Sequence, residues 1–205
     1  MPNFYYEDLA QTRGYNVICG IDEAGRGSWA GPVVAGAVIL HRSNLTNELI
    51  NGLDDSKKLK SSMREDLFEK LKPHACFGIG LADAVEIDEM NVLKSTLMAM
   101  ARALKNLRVS PSLALIDGNC VPELPCRSEC IVRGDSASLS IAAASIVAKV
   151  TRDAIMTNLA LSYPEYGWER NSGYGTRKHR EALEKYGVTI EHRKSFAPIR
   201  QLLNL

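Results

Sequence analysis

Charge of one sign is missing from this sequence. Its 25 Lys and Arg almost cancel its 24 Asp and Glu, so no bulk positive field draws in nucleic acid and any such contact has to come from a local patch. Long apolar runs are missing too: the most apolar stretches, residues 32–40 and 141–150, are too short to span a bilayer. The opening MPNFYYEDLAQTRGYNV has neither a basic start followed by an apolar run nor a small-residue cleavage site. A cytoplasmic protein with no membrane partner is the expectation. Five cysteines (Cys19, Cys76, Cys120, Cys126, Cys130) form no CxxC pair, and no histidine lies near them at zinc-finger spacing. Reduced thiols are expected. A soft-metal site or regulatory disulfide among Cys120, Cys126 and Cys130 is the weaker alternative. No internal repeat or low-complexity tract occurs, and 205 residues suit one domain with a real core.

What is present reads as an α/β chain. Apolar, β-branched runs at residues 17–21 and 33–40 flank a Gly-rich bend, GRGSWAGP, and predict a hairpin. Further strands are expected at 76–81 and 113–116. Between them Val92, Leu93, Leu97, Met98, Met100, Ala101 and Leu104 recur at helical spacing, which predicts one amphipathic helix over 87–107. Ser62 followed by Glu65 suggests a capping box opening a short helix toward Leu71, and another helix is expected over 139–161. Residues 163–175 are rich in Gly, Pro, Ser and Tyr, and precede a charged helical pattern at 177–186 and an apolar end at 199–203. The prediction is a mixed sheet, antiparallel in its first strands and parallel later, flanked by helices, with a core over about 15–160 and a C-terminal helical cap over about 161–205.

Four acidic residues stand out. Asp22 and Glu23 end an apolar strand and run straight into Ala24, Gly25, Arg26 and Gly27. Adjacent carboxylates raise each other's pKa unless a cation compensates, which points to a divalent metal. Neighbours on a strand face opposite ways, so their joint use requires the chain to leave strand geometry there, as the glycines permit. A solvated acidic turn is the bland reading of such a pair. Asp117 ends the strand LALI before Gly118 and Asn119, where sheets of this class open into ligand crevices, although Asp-Gly is equally a turn signal. Asp135 precedes the 139–161 helix, whose Ser138, Ala142, Ser145, Lys149 and Arg152 or Asp153 make a stripe that is either solvated or laid along a phosphate-bearing groove. Four carboxylates suit a two-metal phosphodiester site, and oxygen donors favour Mg²⁺ or Mn²⁺ over zinc.

These residues lie in a specific series of motifs. GIDEAGRG (20–27) with GPVVAGAVIL after it, DDSKKL (54–59), LIDGN (115–119), GDSASLSIAAASIVAKVTRD (134–153) and GYGT (173–176) resemble, in order, the bacterial type 2 ribonuclease H family, ribonuclease HII. The resemblance implies an RNase H-like fold and endonucleolytic cleavage of RNA in RNA–DNA hybrids. It extends to single ribonucleotides embedded in duplex DNA, cut on the 5′ side to leave 3′-hydroxyl and 5′-phosphate ends. By the same resemblance Asp22, Glu23, Asp117 and Asp135 are the catalytic metal ligands, and Gly25, Arg26 and Gly27 sense the ribose 2′-hydroxyl. Tyr174 stacks beside the sugar of the following deoxynucleotide, and Lys57, Lys58, Ser136, Ser138 and Lys149 contact phosphates. Ser28 and Trp29 depart from the Pro and Leu-like residue common in the family. His179, after GYGT, is read as an exposed helical histidine, with help in substrate or metal exchange as the functional alternative; His41, His74 and His192 carry no motif.

Three rivals are weaker. An exonuclease or integrase-like nuclease has no use for GRG and GYGT. A catalytically dead binding module is better served without four charges that repel phosphate. A small-molecule phosphatase needs a closed pocket. A monomer is expected, and the C-terminal QLLNL is read as a helix end rather than as a docking tail for a sliding clamp.

Overall fold

The β-branched runs early in the chain become the centre of a sheet. In the computed structural model, which describes residues 1–53, 56 and 59–204, helix α1 (Tyr5–Thr12) leads into β1 (Ile18–Ala24) and β2 (Val33–Leu40). Helices α2 (Asn47–Gly52) and α3 (Ser61–Leu71) precede β3 (Ala75–Ala82), and α4 (Ala84–Met90) and α5 (Val92–Lys105) precede β4 (Leu113–Asp117) and β5 (Arg127–Ile131). The strand order is β3-β2-β1-β4-β5. β1–β2 and β2–β3 are antiparallel while β1–β4 and β4–β5 are parallel, the expected mixed sheet.

Side chains alternate across this sheet. Cys19, Ile21, Val33, Ala35 and Ala37 meet Ala99, Met100 and Ala103 of α5 on one face. On the other, Val38 meets Leu67 and Leu71 of α3 and the buried side of α6 (Leu139–Ser162). Glycines set how close the helices come. A Cβ on Gly20 would stand 2.1 Å from the Ser140 carbonyl carbon, and one on Gly36 2.7 Å from the Ala144 carbonyl oxygen. α6 therefore lies directly on β1 and β2.

Two local expectations are corrected. The helix predicted over 87–107 is two helices, α4 and α5, because Asn91 takes φ 71° and its side chain accepts the N–H groups of Leu93 and Lys94, capping a new start. Ser62 does not open a capping box: α3 begins at Ser61, with Lys60 at the cap position and no side-chain cap bond. The reciprocal box forms at α4, where Asp83 accepts from Glu86 N and Glu86 accepts from Asp83 N.

The expected C-terminal helical region is built from α7 (Trp168–Asn171), α8 (Arg177–Tyr186) and α9 (Ala197–Leu203), packed on the far end of α6. Tyr166, Trp168, Leu183 and Ile199 share a buried cluster with Met156 and Ala160. Among the described residues no helix is long and apolar enough to cross a membrane.

Replacing Gly20 by Ala forces α6 off β1. The expected loss is about 1–3 kcal/mol, the usual range for overpacking, read as a lower urea midpoint at unchanged slope; wild-type stability would show that the contact yields freely.

Candidate active site

Three carboxylates converge at the carboxyl ends of neighbouring strands. The parallel register sets Ile21 beside Ile116, so Asp22 and Asp117 fall side by side one residue later. β5 runs on into a single 3₁₀ turn, Gly134–Ser136, which carries Asp135. Gly134 N donates to Asp117 Oδ1 at 2.6 Å and ties that turn to β4. Asp22, Asp117 and Asp135 each bring a carboxylate oxygen within 4.8 Å of the others.

Strand geometry persists through the acidic pair, contrary to the departure expected there: Asp22 pairs with Gly36 and Glu23 with Ala35 in unbroken register. Asp22 consequently shares the α6 face of β1 with Gly20, and Glu23 shares the opposite face with Ile21. Glu23 Oε1 lies 3.2 Å from Arg26 Nη1. Asp22 is 3 % exposed. Burial, together with the charges of Glu23 and Asp117, pushes its carboxyl well above the usual carboxylate range, while the Glu23 N–H at 2.6 Å and the Ser145 hydroxyl pull the other way.

Beside the carboxylates, three segments are stitched together. Trp29 N donates to Gly173 O, Gly31 N to Glu191 O, and Arg193 N to Trp29 O, at 2.8, 2.9 and 2.8 Å. Two fully buried guanidiniums lie beneath. Arg152 donates to the carbonyls of Pro32, Ala30 and Ser172. Arg193 donates to those of Gly31 and Arg26. Gly25 has φ +94°, and a Cβ there would stand 1.9 Å from Arg152 Nε, so the first glycine of GRG is needed for both conformation and space. Tyr174 is 44 % exposed, and its Cε1 lies 3.7 Å from where a Cβ on Gly27 would be. The tyrosine ring thus stands beside GRG.

Other expectations fare differently. The stripe on α6 is divided: Ser138, Ala142 and Ser145 are buried, whereas Lys149 and Asp153 are half-buried and line an open groove with Arg64 and Thr157. Ser145 is buried with its Oγ 2.7 Å from Ser56 Oγ, and Arg152 is the loop clamp just described. Ser138 is fully buried, where its hydroxyl caps α6 and donates to Glu7 Oε1 at 2.6 Å, a different job from the phosphate contact expected of it. Ser136 is half-buried beside Asp135. Lys149 pairs with Asp153 at 2.6 Å. Lys57 and Lys58 lie outside the described residues. His179 is wholly buried rather than exposed, since it faces inward from the first turn of α8 against Trp168 and His192. All five cysteines are free thiols.

Sequence reasoning missed Arg193, His192 and Trp168. A positive residue amid Glu191, His192 and Lys194 carries no sign that its partners will be main-chain carbonyls. The donor set itself is all oxygen, and Asp22 resists ionisation without a neighbouring cation, so the cluster fits a divalent ion of the Mg²⁺ or Mn²⁺ kind.

Comparison with known proteins agrees with this geometry. A family model described as Ribonuclease HII matches residues 19–199. The ribonuclease HII of Paramagnetospirillum magneticum is 54 % identical over 187 residues, covering 91 % of this chain and 93 % of that protein. Among solved structures, the ribonuclease H2 of Pyrococcus horikoshii OT3 superposes with a TM-score of 0.75 at 29 % identity, over 92 % of this chain and 98 % of that one. The RNase HII in the PCNA:RNase HII complex from Archaeoglobus fulgidus gives 0.71 at 26 % identity, over 90 % and 96 %.

A carboxyl whose folded pKa is raised destabilises the fold increasingly as pH climbs past its unfolded value of about 3.8, until the raised folded value is passed. In chelator at pH 7, Asp22→Asn should therefore melt higher than wild type, by about 3 °C for about 1 kcal/mol of relieved repulsion in a chain of this size. Adding Mn²⁺ should raise the wild-type melting temperature and move the variant much less. A lower-melting variant in chelator would contradict the repulsion.

Proposed function

The chain belongs to the ribonuclease HII family, and from that membership and the site we propose that it cleaves the RNA strand of RNA–DNA hybrids endonucleolytically. The proposal extends to cutting 5′ of ribonucleotides embedded in duplex DNA, leaving 3′-hydroxyl and 5′-phosphate ends. The observation that carries it is the meeting of Asp22, Asp117 and Asp135 within 4.8 Å beside the joined GRG and GYG loops.

Asp22, Glu23, Asp117 and Asp135 would hold the divalent ions, two in the form of the mechanism we favour, with Mg²⁺ or Mn²⁺ as the candidates. Bound there, such ions supply activation of a water molecule and neutralisation of charge on the scissile phosphate. The chain's own residues do the rest. Gly134 N holds the Asp117 carboxylate in place, and the Ser145 hydroxyl and Glu23 N–H orient that of Asp22. The Gly25, Arg26 and Gly27 main chain reads the ribose 2′-hydroxyl, the group that separates RNA from DNA. Tyr174 packs against the sugar of the deoxynucleotide that follows. Lys149, Ser136, Lys57 and Lys58 are the proposed phosphate contacts.

We place the enzyme in the cytoplasm as a single catalytic domain working as a monomer. A sliding clamp is a candidate partner because the archaeal RNase HII was solved in complex with PCNA. In α9, Ile199 is buried and Leu203 packs on the Trp168 cluster, while Leu202 lies at the surface.

The test is cleavage of a labelled duplex with one ribonucleotide, beside an all-DNA control and a continuous hybrid, in Mg²⁺, Mn²⁺ or chelator. A metal-dependent cut 5′ of the ribonucleotide and none in all-DNA is expected. Asp22→Asn should lower turnover by on the order of 10³-fold or more, and Tyr174→Ala should weaken junction cleavage roughly tenfold. Cutting of all-DNA would indicate a general nuclease, and tight binding without cutting a dead module.

A further inference from the structure

Behind the Tyr174 loop lies a closed chain of hydrogen bonds that fixes the protonation of two histidines. Trp168 Nε1, which can only donate, lies 3.2 Å from His179 Nε2. That nitrogen is therefore an acceptor and the ring's proton sits on Nδ1, 3.0 Å from the Tyr174 carbonyl oxygen. His192 Nε2 lies 3.0 Å from the same His179 Nε2 and so must carry a proton. Its Nδ1 is then the acceptor, and it receives Thr189 N at 3.0 Å and the Thr189 hydroxyl at 2.9 Å. One assignment satisfies every partner: both rings neutral, His179 protonated on Nδ1 and His192 on Nε2. Full burial favours the same neutral forms, pushing His192 down to about 3 and His179 below its ordinary value.

The chain ends on the residue that stands beside GRG. Tyr174 follows Ser172 and Gly173, both left-handed at φ 46° and 77°, and the Tyr174 carbonyl accepts from Thr176 N as well as from His179. Arg152 holds Ser172 O and Trp29 N holds Gly173 O. His179 is the side chain that anchors the tyrosine's own carbonyl.

We propose that His179 is a positioning residue for Tyr174: its Nδ1–H, directed by Trp168 and His192, aims the tyrosine at the sugar beside the cleaved linkage without touching substrate itself. The proposal rests on the role given to Tyr174 above. His179 thereby sets how sharply an RNA-to-DNA junction is read, while the carboxylates, on other elements, do not depend on it.

The experiment compares two substitutions in the full chain. In His179→Asn the amide nitrogen occupies the place of Nδ1 and keeps the donation to Tyr174; in His179→Gln the amide falls near Nε2 and loses it. On the single-ribonucleotide duplex, His179→Gln should raise KM roughly five- to tenfold, the effect of one lost hydrogen bond, with kcat on a continuous hybrid unchanged and His179→Asn near wild type. Equal behaviour of the two variants, or an equal loss on both substrates, overturns the proposal. Long-range ¹H–¹⁵N spectra of the wild-type histidines at pH 7 test it even if a variant fails to fold: the opposite tautomers, or a charged ring, overturn it. Tyr174→Ala run in parallel separates the two readings. Unchanged junction cleavage there removes the role of Tyr174 itself, whereas a loss there with an unaffected His179→Gln overturns only the positioning.

Discussion

Everything at the active end depends on α6 lying against β1 with no side chain between them. Gly20 meets the main chain of Ser140, Ser145 reaches Asp22, and Arg152 fills the space at Gly25. The two rises make this possible. Twelve residues of helix at about 1.5 Å each and five of extended chain at about 3.3 Å each cover nearly the same distance, so three points of one helix meet three points of one strand. A side chain at position 20 would break that match at its origin and shift the other two.

The charges arranged along this line are of opposite kinds. At the strand ends the Asp22, Asp117 and Asp135 carboxylates stand close together, and burial with the charges of Glu23 and Asp117 raises Asp22, which is the condition a divalent cation relieves. Behind the neighbouring loop are two buried guanidiniums. Burial lowers Arg152, and burial with the nearby Arg152 charge brings Arg193 to about 9, still above neutral pH. Among the described residues their hydrogen bonds go to main-chain carbonyls. A trans peptide points its C=O and N–H in opposite directions. Drawing the Arg26 carbonyl inward to Arg193 therefore turns the Gly27 N–H outward, the orientation a hydroxyl-reading loop requires.

Most of the sheet was legible because it is written locally. β1 and β2 are β-branched runs around a Gly-rich bend, and Asp117 follows four apolar residues. The convergence of Asp22 with Asp117 was not legible from periodicity, since it depends on a parallel pairing between strands about ninety residues apart; the motif series supplied it. β5, with its polar RSECI, and the short helices α1 and α2 carried too little pattern to be seen. The stripe on α6 was visible, but its two halves differ in a way periodicity does not show. Ser138, Ala142 and Ser145 have the small or polar character of a solvated face and yet are buried, while Lys149 and Asp153 further along line a groove. Asn91 was misread for a related reason, because a single residue at positive φ interrupts a helix without disturbing the hydrophobic rhythm on either side.

Ser28 and Trp29, the departures from the family pattern, show how the loops tolerate change. A Cβ on Gly175 would stand 2.1 Å from the Trp29 ring, so the large side chain is admitted only because the third residue of GYG has none. Trp29 then lies against His179 at 5.8 Å between ring centres and beneath Arg180 at 5.3 Å, while the buried Ser28 hydroxyl donates to Ser172 O. Both departures therefore lie among the contacts that join the two loops. There they add ties between the segment that carries GRG and the segment that carries Tyr174, two segments that must move as one if a sugar is to be read on both sides of a single phosphate.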